Sequence, residues 1–348
     1  MFSLRHTAAF RPAVLLLWAA VACACGKTLT QEEPCELTLR AAAAASTKAD
    51  PELAGASLGT DNDYVIYAAA SADGSPKYFD PAATSYGGQL FAYFDDGAKW
   101  FPATGTGPYT KQHIYWPFGG VKVDILAYAL TPAAKDALAP TFHSNTHARE
   151  FTIDDWDTFA NQFDVMYAVN NAQAGSISNG PVPLVFQHTM AVVGFTVKSD
   201  SEAGIFTLKG LTLKNLQFKG SLVIDNTSTE LDASWSVPPG SECQGDKEMP
   251  LTMAEFSVPG SGASGLAIKC TDHLLVIPQQ ARSVELTYHV KNSIPDLTCT
   301  LALPRIVWKA GHRYIYNLVI TPTEIRVSDV TVMDWDGTPV DDTAIVSN

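Results

Sequence analysis

Short runs of alternating apolar and polar residues recur along the chain, and this period of two is typical of half-buried β-strands. Two runs show it most clearly. The apolar residues that share one face are Val284, Leu286, Tyr288 and Val290 in VELTYHV, and Tyr314, Tyr316, Leu318 and Ile320 in YIYNLVI. VKVDILAYAL near residue 125 and AVVGFTVK near residue 195 are further strand candidates. Turn-forming residues separate these runs, so the pattern predicts an all-β fold of the sandwich or barrel type.

One long run changes the phase of its alternation. FTLKGLTLKNLQFKGSLVI contains two or three strands, and its apolar phase shifts between Leu213 and Leu216. This shift predicts a turn or a β-bulge near Lys214 and Asn215.

Helical periodicity is scarce in the sequence. The best candidate for a short helix is TIDDWDTFANQF, residues 152–163, with Asp154 as its cap. Two other segments resemble connections rather than elements. NNAQAGSISNGPVP, residues 170–183, either joins two sandwiches or forms a long loop within one, and the alanines at 41–45 resemble a linker.

Residues 1–24 have the pattern of an export signal. Arg5 and Arg11 precede an apolar core at 13–21 that is too short to span a bilayer as a helix. A cysteine then stands where the first mature residue is expected, as in bacterial lipoproteins, and acylation would anchor the chain to membrane lipid. Cys25 is favoured because the polar tether GKTLTQEEP follows it directly, Cys23 is the alternative, and a plain secretory peptide is a further alternative.

The tether is followed by a short alternating segment, CELTLR. Leu37 and Leu39 fall on one face, and Glu36, Thr38 and Arg40 fall on the other. This pattern predicts a first strand that ends at Arg40.

Composition and charge narrow the function classes. The chain has 348 residues, of which 46% are hydrophobic and 17% charged, as in a globular protein of about two domains. Without residues 1–24 it has 21 basic residues (23 minus two arginines) and 36 acidic ones, a net charge of −15. Such an acidic surface argues against nucleic-acid binding. Four further cysteines, without a CxxC pair, do not form a zinc pattern: Cys35, Cys243, Cys270 and Cys299.

No stretch of the sequence carries a catalytic or cofactor signature. There is no GxSxG, no phosphate-binding loop and no GxGxxG in a strand–helix context. His143, His147 and Glu150 would share a face only on a helix, and the Ser-Asn-Thr between the histidines disfavours one, so exposed loop histidines are the preferred interpretation. We therefore predict a non-enzymatic protein that needs no metal and no cofactor.

A cluster of aromatic residues occupies KWFPATGTGPYTKQHIYWPFGG. On the surface, such rings could stack on sugars, whereas in the interior they would pack as a sandwich core, and the core interpretation is favoured. The aromatic residues concerned are Trp100, Phe101, Tyr109, Tyr115, Trp116 and Phe118.

Four motifs in order make the sequence similar to the fimbrillin (Mfa-like) family, whose members build or anchor type V pili on outer membranes. They are YWPFGGVKVDILAYALTP, FDVMYAVN, VPLVFQHTMAVVGFTV, and a tail with LLVIPQ, WKAGHRYIYNLVI and VTVMDW. The resemblance implies two tandem β-sandwich domains of transthyretin-like topology. We place them at 60–180 and 181–348, after the signal at 1–24 and a tether with the first strand at 25–59. His188 resembles the strand histidine of the family, with a structural hydrogen-bonding role.

The resemblance also implies a route of assembly at the cell surface. An arginine-specific protease would cut after Arg40 and remove the strand that carries Leu37 and Leu39, and a strand of a neighbouring subunit would fill the groove. The candidate donor lies in the C-terminal region, where apolar residues alternate in two pairs: Ile325 with Val327, and Val330 with Val332.

The expected partners are other fimbrial subunits, the protease, outer-membrane lipid through the acylated cysteine, and ligands on host or bacterial surfaces. The expected location is the outer membrane and its fimbriae. The alternative function is a monomeric outer-membrane lipoprotein that binds surface glycans through the aromatic cluster.

Overall fold

The alternating runs form strands that are arranged in four sheets. A computed structural model describes residues 36–43, 64–72, 88–95, 99–116, 122–143, 150–174, 180–226, 233–249, 251, 256–261, 268–269 and 273–335. The strands of the first half are β1 (Leu39–Ala43), β2 (Val65–Ala72), β3 (Gln89–Phe94), β4 (Lys99–Thr104), β5 (Thr110–Lys111), β6 (Lys122–Leu130), β7 (Thr141–His143), β8 (Glu150–Asp157), β9 (Met166–Ala174), β10 (Val182–His188) and β11 (Ala191–Ser199). The strands of the second half are β12 (Phe206–Gln217), β13 (Lys219–Asp225), β14 (Ala233–Ser236), β15 (Gln244–Glu248), β16 (Phe256–Ser257), β17 (Ile268–Lys269), β18 (Leu274–Val276), β19 (Ser283–Val290), β20 (Leu297–Ala302), β21 (His312–Ile320) and β22 (Ile325–Asp334). The predicted all-β class is confirmed.

The first sheet has the order β1-β10-β9-β6-β2-β3-β4-β5, and β1 also pairs with β4. β1 lies at one end of this order and β4 lies next to the other end. Their pairing therefore means that the sheet curls round on itself. A second sheet has the order β14-β13-β8-β7. The other two sheets are β17-β11-β21-β22, with β18 beside β11, and β15-β12-β19-β20, with β16 beside β12.

Three apolar cores hold these sheets together. One lies inside the curl of the first sheet, and a second lies between the outer face of that sheet and the β14-β13-β8-β7 sheet. Strands β2 and β6 contribute to both cores, which explains why VIYAAA and ILAYAL are continuously apolar rather than alternating. The third core lies between the remaining two sheets and includes the predicted inward residues of β19 and β21.

The interpretation of 170–183 as a linker or loop is wrong at both of its ends, because residues 170–174 belong to β9 and residues 182–183 to β10. These two strands pair antiparallel in the same sheet, for example at Gln187 and Tyr167. The division at residues 180 and 181 stays a prediction. The structure adds that β10 lies in the first sheet and that β13 pairs with β8.

The predicted phase break in the long run is confirmed as a bulge. The pairing of β12 with β15 shifts its register between Leu213 and Leu216. Asn215, inside the shift, has a φ of 59°, a left-handed conformation that asparagine tolerates better than most residues.

The predicted helix at 152–163 is wrong, because its first half is strand β8 and a turn follows. Phe151, Ile153 and Trp156 are all buried against the core, which requires an extended chain with a bulge rather than a helical period. The Asp157 carboxylate accepts from the backbone N–H groups of Phe159 and Ala160 and so stabilises the turn.

A short helix, α1 (Pro132–Leu138), was not predicted from the sequence. Its start does have a signal, since Thr131 caps it by accepting from the Ala134 N–H and Pro132 occupies the first turn. Among the described residues, no helix has the length and hydropathy needed to cross a membrane.

The interpretation of alanines 41–45 as a linker is wrong for Ala41–Ala43. These three residues continue β1 and pair with Leu184–Phe186 of β10. Residues 44 and 45 lie outside the described residues.

Tyr67 gives the fold an expected sensitivity to alkaline pH. Burial, with a contribution from Asp136, raises the pKa of Tyr67 to about 12. Unfolded tyrosine ionises near pH 10, so the free energy of unfolding should fall as the pH rises from about 10 to 12. Tyr67→Phe should reduce this fall by up to about 2.7 kcal/mol, the equivalent of two pKa units. Urea denaturation of both proteins at pH 7, 10 and 12 tests this, and an identical fall in both would contradict it.

Candidate functional site

The first strand is held mainly by one neighbour. β1 runs parallel to β10, and the register pairs are Leu39–Val182, Arg40–Pro183, Ala41–Leu184, Ala42–Val185 and Ala43–Phe186. The Val182 N–H also donates to the Thr38 carbonyl at 2.8 Å. We call the surface that residues 36–43 occupy, formed by β10, β4 and residues 114–116, the seat.

Among the described residues, the opposite edge of the first strand is paired at separate points rather than along a continuous ladder. Leu39 pairs with Trp100 of β4, the Leu37 N–H donates to the Ile114 carbonyl at 2.8 Å, and Glu36 forms an isolated bridge with Tyr115. The strand therefore has a continuous ladder on one edge and a sparse one on the other.

The side chains of the first strand alternate as the sequence predicts. Leu37 and Leu39 are completely buried inside the curl of the first sheet, Ala41 is 7% exposed, and Arg40 is exposed. Thr38 is buried too, although it lies on the face opposite the leucines. Burial of the two leucines contributes about 3–6 kcal/mol to holding the strand in the seat.

Strand β10 presents a complete backbone edge to the seat. In a parallel ladder alternate residues bond to the same neighbour, so the Val182 bond to Thr38 places Leu184 and Phe186 on that edge as well. Pro183, which has no N–H, falls on the other edge, where its carbonyl accepts from the Asn170 side-chain amide at 2.7 Å. The proline therefore costs the seat no hydrogen bond.

Arg40 lies inside β1 rather than at its end. It is paired with Pro183, and three alanines follow it along β10. A cut after Arg40 would therefore release both leucines and leave Ala41–Ala43 as a stub with little apolar surface.

The C-terminal candidates lie in β22, an edge strand paired antiparallel with β21. Ile325 is buried, and the three valines are partly buried against the third core. The register shifts at Ser328, since Val327 pairs with Leu318 and Asp329 with Asn317. This bulge explains why the two apolar pairs of β22 are out of phase with each other.

The end of β22 contacts the strand that holds β1. The Trp335 ring stacks on the His188 ring of β10 with centroids 3.8 Å apart and planes 12° apart. The Asp164 carboxylate lies 3.0 Å from His188 Nδ1, and Arg313 Nη2 donates to the Trp335 carbonyl at 3.0 Å. The predicted hydrogen bonding of His188 is confirmed, and its structural role stays a prediction.

The aromatic cluster is mainly a core. Trp100 and Trp116 are buried with the two leucines of β1, Phe101 is buried, and Tyr109 is half-buried. Tyr115 is exposed, and Phe118 lies outside the described residues. The two tryptophans therefore do not form the exposed platform that the glycan alternative requires.

The described residues contain no group of three or more His, Cys, Asp or Glu side chains that could hold a metal ion. His143 and Glu150 are neighbours on β7 and β8, with 4.0 Å between Nε2 and Oε1, rather than residues of one loop. Cys243 and Cys299 are free, and Cys243 is buried whereas Cys299 is half-buried. Cys23, Cys25 and His147 lie outside the described residues.

The residues that form the floor of the seat were not predicted from the sequence. Val182, Leu184 and Phe186 are buried while the residues between them are exposed. This alternation in VPLVFQH was readable from the sequence, but the partner strand, far away in the chain, was not.

A model of the fimbrillin-like family matches residues 58–335, which include every described element except β1. Among solved structures, the chain is similar to a candidate cell adhesion protein of Bacteroides ovatus, with 17% identity, a TM-score of 0.52, and coverage of 87% of this chain and 98% of the other. It is also similar to a candidate cell adhesion protein of Bacteroides uniformis (18%, TM-score 0.47, 86% and 99%) and to a fimbrial assembly protein of Parabacteroides distasonis (12%, TM-score 0.33, 88% and 97%).

No curated protein matches the chain. The match to the family model extends over most of the sequence and through the strands that build all four sheets. On this evidence the chain belongs to the fimbrillin-like family.

Proposed function

We propose that this chain is a fimbrial subunit that is exported as a lipoprotein and assembled by strand exchange after its first strand is removed. The observation that carries the proposal is the way β1 is held. Leu37 and Leu39 are completely buried, yet within the described part of the chain the backbone of the strand has a continuous ladder with β10 alone. Such a strand can leave as a unit and be replaced by another extended segment.

Removal of the strand would produce a site that favours a replacement. It would expose an apolar trough where the two leucines lie, at a cost of about 3–6 kcal/mol. It would also leave the backbone groups of Val182, Leu184 and Phe186 on an open edge, and such edges pair readily with another strand.

The family supports a subunit of a surface fimbrium that associates with other fimbrial subunits, with a structural rather than a catalytic role. We further propose acylation of Cys25, with Cys23 as the alternative, so that outer-membrane lipid holds the precursor at the cell surface until an arginine-specific protease acts. The glycan alternative has no comparable support, because Trp100 and Trp116 are buried. The replacement strand is proposed to come from the region of Ile325, Val327, Val330 and Val332.

Arg40→Lys tests the processing step while it keeps the positive charge. An arginine-specific protease should cut the folded wild-type precursor after Arg40, and N-terminal sequencing should then give Ala41. The variant should stay uncut at this bond, because lysine is not accepted by such a protease. Arg326→Lys is a matched control, since Arg326 is also an exposed arginine within a strand and its replacement should not affect the cut at Arg40.

The assembly step has its own readout. The cut wild type should form oligomers in a concentration-dependent manner, and uncut Arg40→Lys should remain monomeric by size-exclusion chromatography. Efficient cutting after Arg40 that leaves the protein monomeric at all concentrations would contradict strand exchange. Absence of any cut in the folded wild type would contradict the processing step.

A further inference from the structure

The hairpin between β19 and β20 presents an aliphatic side chain to solvent. Ile294 is 95% exposed, the largest exposed fraction of any large hydrophobic residue that the structure describes. Pro295 follows it and is exposed too, and Leu297, at the start of β20, is 42% exposed. We call Ile294 and Pro295 the knob.

The hairpin that carries the knob is held in shape by contacts on both of its sides. The N–H and the hydroxyl of Ser293 both donate to the Val290 carbonyl, at 2.9 and 2.7 Å. On the other side, the Asp296 carboxylate lies 2.9 Å from His289 Nδ1 and 3.3 Å from Lys209 Nζ. Because the loop is already ordered, the knob would lose little conformational freedom when it binds a partner.

A second exposed apolar feature lies beside the seat. We call His113, Ile114 and Tyr115 the rim, and each of the three contacts the first strand. His113 Nδ1 lies 2.6 Å from Glu36 Oε1, and Tyr115 forms its bridge with the same glutamate. The Ile114 carbonyl accepts from the Leu37 N–H. Removal of the first strand therefore takes away all three contacts together and uncovers the rim.

The rim and the knob lie at the two ends of a path through consecutive strands. The rim lies across the first strand from the start of β10, where Val182 donates to that strand. β11 follows β10 and ends at Ser199, whose N–H donates to the Pro259 carbonyl. The residue before this proline donates to Phe206, which pairs with Val290 at the base of the hairpin.

We propose that the knob of one copy packs against the rim of the next copy, once the first strand of that next copy has been removed. This inference rests on the proposed function and adds to the subunit interface a contact that lies outside the seat. Two different surfaces at the two ends of a molecule give a head-to-tail contact, which extends into a filament when it does not close. Proline-containing segments dock on aromatic surfaces, so Tyr115 suits the pair Ile294 and Pro295.

The first strand opposes this contact in the uncut chain. Glu36 lies against two of the three rim residues, and packing an apolar knob there would remove water from its carboxylate, which is costly. The contact does not compete with a replacement strand in the seat. Tyr115 is 44% exposed even with the first strand in place, so a strand that fills the seat again would leave it accessible.

Ile294→Ser tests the knob in full-length protein cut after Arg40. The variant should unfold at the wild-type urea concentration and be cut at the wild-type rate, because its side chain is almost fully exposed. The protein concentration at which half of the cut chain is oligomeric, measured by size-exclusion chromatography with light scattering, should rise about 10-fold or more, because a buried isoleucine is lost from the interface. Val307→Ser is the matched control, since Val307 is also an exposed aliphatic residue but bridges Gln280, before the other end of β19. It should leave this concentration unchanged.

Tyr115→Ser identifies the rim as the partner of the knob. It should weaken assembly of the cut protein by a similar factor, and the variant with both changes should be no weaker than either single variant, because a contact between two residues can be lost only once. Effects that multiply in the double variant would show that the knob packs elsewhere and would overturn the inference.

The remaining outcomes separate this inference from the proposed function. Cut wild type that stays monomeric at all concentrations would defeat the proposed function, and the inference with it. If the cut wild type forms oligomers and Ile294→Ser forms them at the same concentration, the knob lies outside the interface. The inference then fails while strand exchange stands.

Discussion

Simultaneous replacement of Leu37 and Leu39 by alanine is expected to increase the rate of cutting after Arg40 by about 10³-fold or more. Each Leu→Ala change in a well-packed core costs about 2–5 kcal/mol. The two changes together should therefore lower the free energy that keeps the first strand in the seat by at least about 4 kcal/mol. Every 1.4 kcal/mol changes tenfold the population of molecules whose first strand has left the seat. The cutting rate is proportional to that population when the strand leaves and returns faster than the protease cuts. The measurement is the initial cutting rate with an arginine-specific protease at low concentration, with product identity from N-terminal sequencing.

The matched control is Leu213→Ala with Leu286→Ala. These two leucines are as deeply buried as the first pair, but they lie in the third core, between the β15-β12-β19-β20 sheet and its partner. The control should lower the midpoint of urea denaturation without a selective increase of cutting at Arg40. If the Leu37 and Leu39 variant lost its global stability with no selective cutting, β1 would be an integral part of the first sheet, and strand exchange would have to be abandoned.

Elements with a clear two-residue period were predictable from local sequence. β19 and β21 each bury one face, so apolar and polar residues alternate along both strands. This alternation identified the inward residues of both. The bulge at Asn215 was predictable for the same reason, because a two-residue period shows any break in phase. β8 was misread because Asp154 suggested a helix cap, whereas Asp154 is an exposed residue inside β8, and Asp157 stabilises the turn that follows.

The limits of the first strand could not be read from the sequence. Alanine favours helices, so nothing local marks Ala41–Ala43 as strand, and only their pairing with β10 holds them there. That pairing joins residues far apart in the chain, and local patterns carry no information about it. The sequence therefore identified the two leucines as a buried face but placed Arg40 at the end of the strand instead of inside it.

Strand β10 contacts both segments that take part in the proposed strand exchange. Its edge holds the first strand, and its last residue, His188, holds the Trp335 ring at the end of β22. The segment that we expect to leave β22 and the seat that we expect to receive it thus border the same strand. Exchange between copies therefore requires two separate losses on each molecule, that of the first strand from the seat and that of β22 from β21.

The largest loss of stability from a single substitution is expected for Trp308→Ala. The Trp308 side chain has no exposed surface, and its Nε1 donates to the Tyr316 hydroxyl at 2.9 Å within the third core. Loss of a buried tryptophan costs about 3–5 kcal/mol, because it removes the transfer free energy and leaves a cavity. At about 2.1 cal/mol/K of unfolding entropy per residue, that corresponds for a chain of 348 residues to a fall in Tm of about 4–7 °C, measurable by thermal denaturation followed by circular dichroism.

Trp308→Phe limits the loss of packing at this position, since it keeps a buried aromatic ring while it removes the donor to Tyr316 and part of the indole volume. It should cost about 1–3 kcal/mol, the penalty of an unpaired buried hydroxyl. Both variants alter the third core, whereas the seat belongs to the core inside the first sheet. Below its Tm, Trp308→Ala should therefore be cut after Arg40 at the wild-type rate. An increase in that rate comparable with the Leu37 and Leu39 variant would show that the two cores open together, and the first strand could then not leave its seat while the rest of the protein stays folded.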